Sequence, residues 1–335
     1  MSVTIKDIAK VAGVSYSTVS KALNDSPLVK PTTKSRILKV ANDMGYEPNY
    51  AAQRLVSKQT KIIGLIWPTI ERIVLSTLVT NISNEIRKTP YSMILSVEPI
   101  VESLDTFKRF QVDGVILFDE NTNNSIGPSK IPILFYGVAD QQNISFPVVD
   151  ASHEQAMLEA VKFLHSELGH TKIAYIGDFS KTDRRQIEKL QGFKKAMDHF
   201  GIVIDHHFLV DTKGLDWYDG YQAVSNLLKS PDKPTAIVGG SYDISGGIIR
   251  GIKENQLEIP NDVSIISYDN IPQMANMEIP LTSIGVPVDQ LAAEIVHSII
   301  ELIETKSLQP TIRKMTPQLK IRKSCGKVNR VGGSD

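Results

Sequence analysis

Between residues 5 and 44 the apolar positions recur at helical spacing in three short runs. Ile5, Ile8 and Ala9 give the run from Ile5 to Val11 an apolar face, and Thr4 stands in the capping position. The run from Ser15 to Asn24 has two faces. Val19, Ala22 and Leu23 are apolar, while Ser17, Ser20, Lys21 and Asn24 form a small polar and basic stripe beside Tyr16. Ser15 is a good N-cap, because its hydroxyl can accept a free backbone N–H of the first turn. Gly13 stands between the two runs and is free to take the left-handed conformation of a tight turn. Helix, glycine turn and a second helix with an exposed polar stripe form a helix-turn-helix pattern. Its second helix fits the major groove of DNA, with side chains near its N-terminus at base edges. A third run, Thr32 to Met44, buries Ile37, Leu38, Val40, Ala41 and Met44 and ends at Gly45. Pro48 stops the helical pattern. Residues 51–57 then favour a helix too short to be stable without a surface to form against.

From Lys61 the pattern changes to near-continuous apolar strands alternating with amphipathic helices. Strands are expected at K-I-I-G-L-I-W, Tyr91–Val97, V-D-G-V-I-L-F, I-P-I-L-F-Y and F-P-V-V-D. A second group follows at K-I-A-Y-I-G, His207–Val210, T-A-I-V-G-G and V-S-I-I-S-Y-D. Helices are expected over 73–88, 103–110, 153–168, 184–200, 217–229 and 244–255. Strands of this kind, alternating with helices, indicate parallel sheets covered on both faces, here in two α/β units of similar design. Residues 323–335 are polar and glycine-rich and read as a flexible tail.

A chain of 335 residues suggests two or three domains, and 41% hydrophobic residues suffice for sizeable cores. Its formal charge of zero hides an asymmetry. Residues 1–60 carry nine Lys/Arg against four Asp/Glu, a net +5, which leaves −5 for the remainder. A basic end on an acidic body suits a protein that grips phosphates with one end only. Cys325 is the single cysteine, so an internal disulfide is impossible. The histidines do not cluster at metal spacing, and no catalytic Ser/His/Asp set or phosphate-cradling glycine loop stands out. Neither a metal nor a cofactor is expected, and the chain does not read as an enzyme. No apolar signal core or run of about 18 apolar residues occurs, so no membrane association is expected and the reading is cytoplasmic.

V-T-I-K-D-I-A-K-V-A-G-V-S-Y-S-T-V-S-K-A-L-N, followed by G-Y-E-P-N-Y-A-A-Q-R-L, resembles the DNA-binding head and hinge of the LacI/GalR family of bacterial transcription regulators. Similarity continues to about Arg322. The resemblance implies an all-α helix-turn-helix head over 1–47 and a hinge with a short helix over 48–60. Over 61–322 it implies a two-lobed periplasmic-binding-protein-like core with parallel sheets. Three crossovers would divide that core into an N-terminal lobe of about 61–158 and 285–314 and a C-terminal lobe of about 159–284 and 315–322. It places Thr4, Ser15, Tyr16, Ser17, Thr18, Ser20, Lys21 and Asn24 of the head at DNA, with Asn49, Ala52 and Leu55 of the hinge. Leu55 would act as a wedge in the minor groove. The implied function is a homodimeric regulator on palindromic operator DNA, a repressor of a carbohydrate-use operon, controlled by a small sugar-like effector. The reading from another class is a sugar-binding protein of transport or sugar processing with no DNA role. That reading predicts no DNA affinity and a secretion signal.

In open parallel sheets ligands sit beyond the C-terminal ends of the strands. That rule, with the resemblance, points to Trp67, Asp119, Tyr136, Gly177–Phe179, Ser241 and Asp269 as lining an effector cleft. Trp217, in D-W-Y, matches an aromatic that stacks on sugars in the family; its other reading is a core tryptophan. Asp269, in S-Y-D-N, matches an aspartate that bonds ligand hydroxyls; its other reading is a helix cap. Lys189 stands where the family carries an arginine, and lysine lacks the guanidinium fork. Arg184 or Arg185 could supply it. Asp150, in V-V-D, matches a position at the lobe junction and is assigned to signalling between lobes. A sugar or sugar derivative is expected as effector, an acidic one favoured over a neutral one.

Overall fold

The structure is a computed structural model that describes residues 3–23, 25–46, 59–118, 126, 129–139, 146–305 and 309–328. It contains two compact units, Met1–Thr60 and Lys61–Asp335.

The first unit is three helices, α1 (Ile5–Ala12), α2 (Tyr16–Leu23) and α3 (Pro31–Asp43). Thr4 and Asp7 cap α1 reciprocally. The Thr4 hydroxyl accepts the Asp7 N–H at 3.4 Å, and the Asp7 carboxylate accepts the Thr4 N–H at 2.9 Å. Gly13 closes the helix at φ 64°, a left-handed turn. Ser15 accepts the Thr18 N–H at 3.2 Å and so caps α2. Pro31 opens α3, where its missing N–H costs nothing. Ile8, Val19 and Ile37 are fully buried at the centre of this unit. Each contributes roughly 1.5–3 kcal/mol by leaving water.

In the second unit, β1 (Ile62–Ile66), α4 (Ile73–Ile86), β2 (Ser92–Ser96), α5 (Ile100–Phe110), β3 (Gly114–Phe118), β4 (Ile133–Tyr136) and β5 (Val148–Asp150) follow in order. With the late strand β11 (Ile312–Lys314) they build a parallel sheet of order β2-β1-β3-β4-β5-β11. Next come α6 (His153–Lys162), β6 (Ile173–Gly177), α7 (Arg184–His199), β7 (Leu209–Asp211), α8 (Trp217–Leu227), β8 (Ala236–Gly239), α9 (Tyr242–Glu254), β9 (Ser264–Tyr268) and β10 (Thr282–Gly285). These make a second parallel sheet of order β7-β6-β8-β9-β10, edged by the antiparallel β12 (Gln318–Lys320). Helix α10 (Val288–Thr305) returns to the first sheet and packs on α4 and β3. The chain therefore crosses between sheets at 151–152, at 286–287 and at 315–317.

Two details depart from the sequence reading. The helix that starts at His153 packs on α7 and β10, so the first crossover comes some six residues before the expected 158. Its inward face (Ala156, Met157, Ala160 and Val161) is part of the second sheet's core, with Tyr175, Phe193 and Ile284. The strand expected from His207 starts only at Leu209, because Asp205 caps a single 3-10 turn, His206–Phe208. Helices α8 and α9 cross with backbones almost touching. A Cβ at Gly220 would run into the Ile244 carbonyl, and one at Gly247 into the Trp217 carbonyl.

The flexible tail expected over 323–335 is corrected over 323–328, and residues 329–335 lie outside the described residues. Residues 323–328 are laid along the second sheet. The Ile265 N–H donates to the Ser324 carbonyl at 2.7 Å. The buried Ser324 hydroxyl accepts the Thr282 N–H at 2.8 Å and donates to the Ile265 carbonyl at 2.6 Å. His170 bonds Thr235, Ser264 and the Gly326 carbonyl at 2.9, 3.1 and 3.0 Å, as a structural residue. Composition misleads here because the polar groups are answered by buried backbone rather than by water. Ser324→Ala should cost about 1–3 kcal/mol, the penalty for stranding the buried Thr282 amide, while the Ile265 carbonyl keeps the Cys325 thiol at 3.0 Å. Urea denaturation of the two proteins measures it, and equal midpoints would show that these bonds contribute nothing.

Candidate functional site

The exposed edge of α2 carries the polar stripe. Tyr16, Ser17 and Lys21 are exposed, Thr18 and Ser20 are half-buried, and Thr4 and Ser15 are exposed at the helix starts. Ser15 also contacts Ser17 and Thr18 through their hydroxyls, at 2.9 and 2.8 Å, which sets the first turn. Asn24, Asn49, Ala52, Leu55 and Asp119 lie outside the described residues.

In the body, the C-terminal ends of β3, β4, β5 and β9 converge with the N-terminal turns of α4, α6, α7 and α9 on one cavity. Its space, open mouth included, is about 670 Å³. Of the residues expected in the cleft, Tyr136, Lys189, Ser241 and Asp269 line it. Trp67 does not: it is buried one layer behind, 4.7 Å from Phe118 and 6.2 Å from Tyr136 between ring centres. Phe179 stacks on Tyr175 instead. Trp217 is also outside the lining. It is the first residue of α8, lies parallel to Tyr221 with ring centres 5.7 Å apart, and rests against Gly246. Helix spacing decides between the two arginines. Arg185, Gln186 and Lys189 share the face of α7 that lines the cavity, and Arg184 is on another face.

Each polar lining group has a defined environment. Asp269 takes a positive φ of 88°, rare for a residue with a side chain. Its carboxylate accepts the Tyr242 N–H at 2.9 Å, so it caps α9 while lining the cavity. Ser241 is the N-cap of the same helix, buried, with its hydroxyl on the Ile244 N–H at 3.4 Å. Arg185 is forked onto Asp183 at 3.1 and 2.9 Å and lies 4.2 Å above the Phe118 ring. Burial holds the Tyr136 phenol well above its usual range and therefore neutral. Sequence reasoning missed Arg72, His153, Tyr268 and Asn270. The rule that found Tyr136, applied to helix starts as well as strand ends, would have reached Arg72 and His153.

The crossovers are stitched together beside this cavity. The Asp150 carboxylate accepts Ser152 N–H at 2.8 Å and Ala139 N–H at 3.3 Å, and its carbonyl accepts Met315 N–H at 2.7 Å. The Asn270 amide donates to the carbonyls of Gly285 and Gln318 at 3.2 and 3.4 Å. Across the mouth, Arg72 Nε lies 3.5 Å from the Asp243 carboxylate, and the Gln273 amide donates to Thr77 at 3.0 Å.

Residues 4–49 match the bacterial regulatory proteins of the lacI family, and residues 161–325 match the periplasmic binding protein-like domain. The chain is 30% identical over 334 residues to catabolite control protein A of Priestia megaterium, covering 97% of this chain and 99% of that protein. The chain belongs to the lacI family. It is accordingly a DNA-binding transcription regulator. Another relative, the HTH-type transcriptional repressor PurR of Pasteurella multocida (strain Pm70), is 30% identical over 332 residues, covering 96% of this chain and 98% of that protein. The crystal structure of the lac repressor dimer bound to operator and the anti-inducer ONPF superposes with a TM-score of 0.84. It is 24% identical and covers 97% of this chain and all of that one. No helix among the described residues is long and apolar enough to cross a membrane.

This lacI-family body has a second groove behind the crossovers, lined by Asp150, Glu154, Glu188, Lys195 and Lys314 among others. Glu188 sits on the face of α7 turned away from the cavity. Burial first, then Asp150 and Glu154, push its carboxyl up to about 7, against the opposing pull of Lys314 and Arg184. A folded value above the unfolded 4.5 means that stability is fully present below pH 4.5 and falls as pH rises through 7. Glu188→Gln should therefore melt higher than wild type at pH 8, with the gap closing by pH 5. Melting curves at both pH values test this, and a pH-independent gap would mean the carboxylate is not the cause.

Proposed function

We propose that this regulator is a homodimeric repressor of a carbohydrate-use operon. It works in the cytoplasm, reads a palindromic operator with Tyr16, Ser17 and Lys21, and is controlled by a small sugar-like effector held in the body's cavity. The observation that carries the reading is the cavity's position. It is walled by both sheets and floored by the crossovers, so a ligand touching Tyr136 on one side and Asp269 on the other feels any change in the angle between them. Tyr136 offers a flat ring to a sugar's apolar face, and Asp269 an acceptor for hydroxyls. A ligand moves the lobes only as far as its affinity for the two arrangements differs. By linkage, operator DNA shifts effector affinity by the same factor. A single head of this size buries little surface for tight specific binding, which is the physical case for two.

Selection from a library of randomised palindromes, followed by binding of the full chain to the enriched duplex, tests this reading. A symmetric site bound by two chains is the expected result; an asymmetric site bound by one would overturn the homodimer. Lys21 projects from α2, where an ammonium can donate to guanine O6 and N7. Lys21→Ala should cost roughly 1–3 kcal/mol on the selected duplex and much less on random DNA. Equal losses on both would assign Lys21 to phosphates alone.

A further inference from the structure

The inner wall of the cavity holds a buried ammonium with no counter-charge. Lys189 is 4% exposed. Its Nζ donates to the Gly240 carbonyl at 2.9 Å and, more weakly, to the Gln186 amide oxygen at 3.5 Å, and lies 4.0 Å above the Tyr268 ring. The nearby guanidiniums both have carboxylate partners, Arg185 on Asp183 and Arg72 facing Asp243. None of the described carboxylates forms an ion pair with Lys189. Asp269 and Asp183 act on it only from a distance, and burial pushes its ammonium down to about 8. Taking a charge out of water without a partner is costly.

A second buried group lining the same cavity has a polar atom without a partner among the described residues. His153 is 3% exposed, and its Nδ1 lies 2.5 Å from the Tyr268 hydroxyl. Burial first, then Lys189 and Arg185, hold the imidazole far below its usual range, so it is neutral and carries one proton. Tyr268 has no other acceptor among the described residues, so its O–H donates to Nδ1 and the proton of His153 is on Nε2. That Nε2–H is buried, and no described group accepts it. The wall that faces these donors, with Val74, Leu75, Leu78 and Leu291, is apolar.

We infer that the effector carries a carboxylate or a phosphate, and that this group seats between the Lys189 ammonium and the His153 Nε2–H. The inference rests on the reading of the cavity as the effector site. An anion gives the ammonium its missing counter-charge and gives the imidazole its missing acceptor, in charge-assisted bonds about twice as strong as neutral ones. A neutral polyol would leave the ammonium uncompensated. Lysine is a point charge without a fork, so it fits one oxygen of the anion while His153 takes another. The rest of the ligand then lies against the apolar wall, with any hydroxyl toward Asp269.

The test uses the full chain at constant ionic strength. Histidine side-chain resonances, with His153 assigned through His153→Gln, are followed during titration with inorganic phosphate, acetate, glucose, glucose 6-phosphate and glucuronate. The expected result is a proton on Nε2 in the free protein and a shift of the His153 Nε2 resonance with phosphate-bearing or carboxylate-bearing probes. Which of the two moves it identifies the anion. Lys189→Met should weaken that response at least about tenfold and Lys189→Arg should largely restore it, with melting curves confirming that both variants fold. No response to any anionic probe, or an equal response in Lys189→Met, overturns the inference. Operator affinity measured with the same probes separates the two readings. If anions move His153 but no probe alters operator binding, the anion seat stands and the effector reading falls. If glucose alters operator binding equally in wild type and Lys189→Met, the effector reading stands and the anion seat falls.

Discussion

Two parallel sheets joined by three chain crossings are the constraint on which the body depends. A parallel sheet ends all its strands on one edge, and both sheets turn that edge toward the crossings. The crossing segments have no ladder of their own, so their amides and carbonyls need other partners. Asp150 supplies them at the first and third crossings, and Asn270 at the second and third. Asp150, through its carboxylate and its backbone carbonyl, and the Asn270 side-chain amide thus hold three separate stretches of chain in register, and the polar lining is built on the stretches they fix. Across the rims, among the described residues, Arg72 faces Asp243 and the Gln273 amide donates to Thr77.

Charge in the cavity follows from this layout. Helix α7 starts at the cavity and brings Arg185 and Lys189 into it one turn apart. Asp183 precedes the helix, caps it and neutralises the first cation. It cannot also neutralise the second, and the asymmetry between the two cations is a consequence of helix geometry. The α9 start is satisfied from two sides, by Ser241 from its own chain segment and by Asp269 from the next strand. Asp269 reaches it only because its backbone accepts a positive φ.

Much of this was legible in the sequence. The head is read almost residue by residue, since Thr4, Gly13 and Ser15 act through local bonds that span only a few positions. The alternation of strand and helix is equally local. What the sequence conceals is long-range. Nothing in D-W-Y says that the Trp217 ring lies on Tyr221 and Gly246, because the choice is made by a neighbouring helix. Nothing in R-R says which arginine faces inward until the start of α7 is known. The segment around Ser324 reads as tail because its partners, Ile265 and Thr282, are some sixty and forty residues away. His153 was overlooked because its meaning depends on Tyr268, over a hundred residues later.

The close crossing of α8 and α9 has a mechanical consequence. Where Gly220 and Gly247 face the Ile244 and Trp217 carbonyls, the two helices meet backbone to backbone. At those two points no side chain lies between the helices to take up a small displacement by changing rotamer. The two helices therefore behave as one lever. A displacement of Ser241 at the head of α9 would carry with it the exposed rings of Trp217 and Tyr218 at the head of α8, which do not line the cavity.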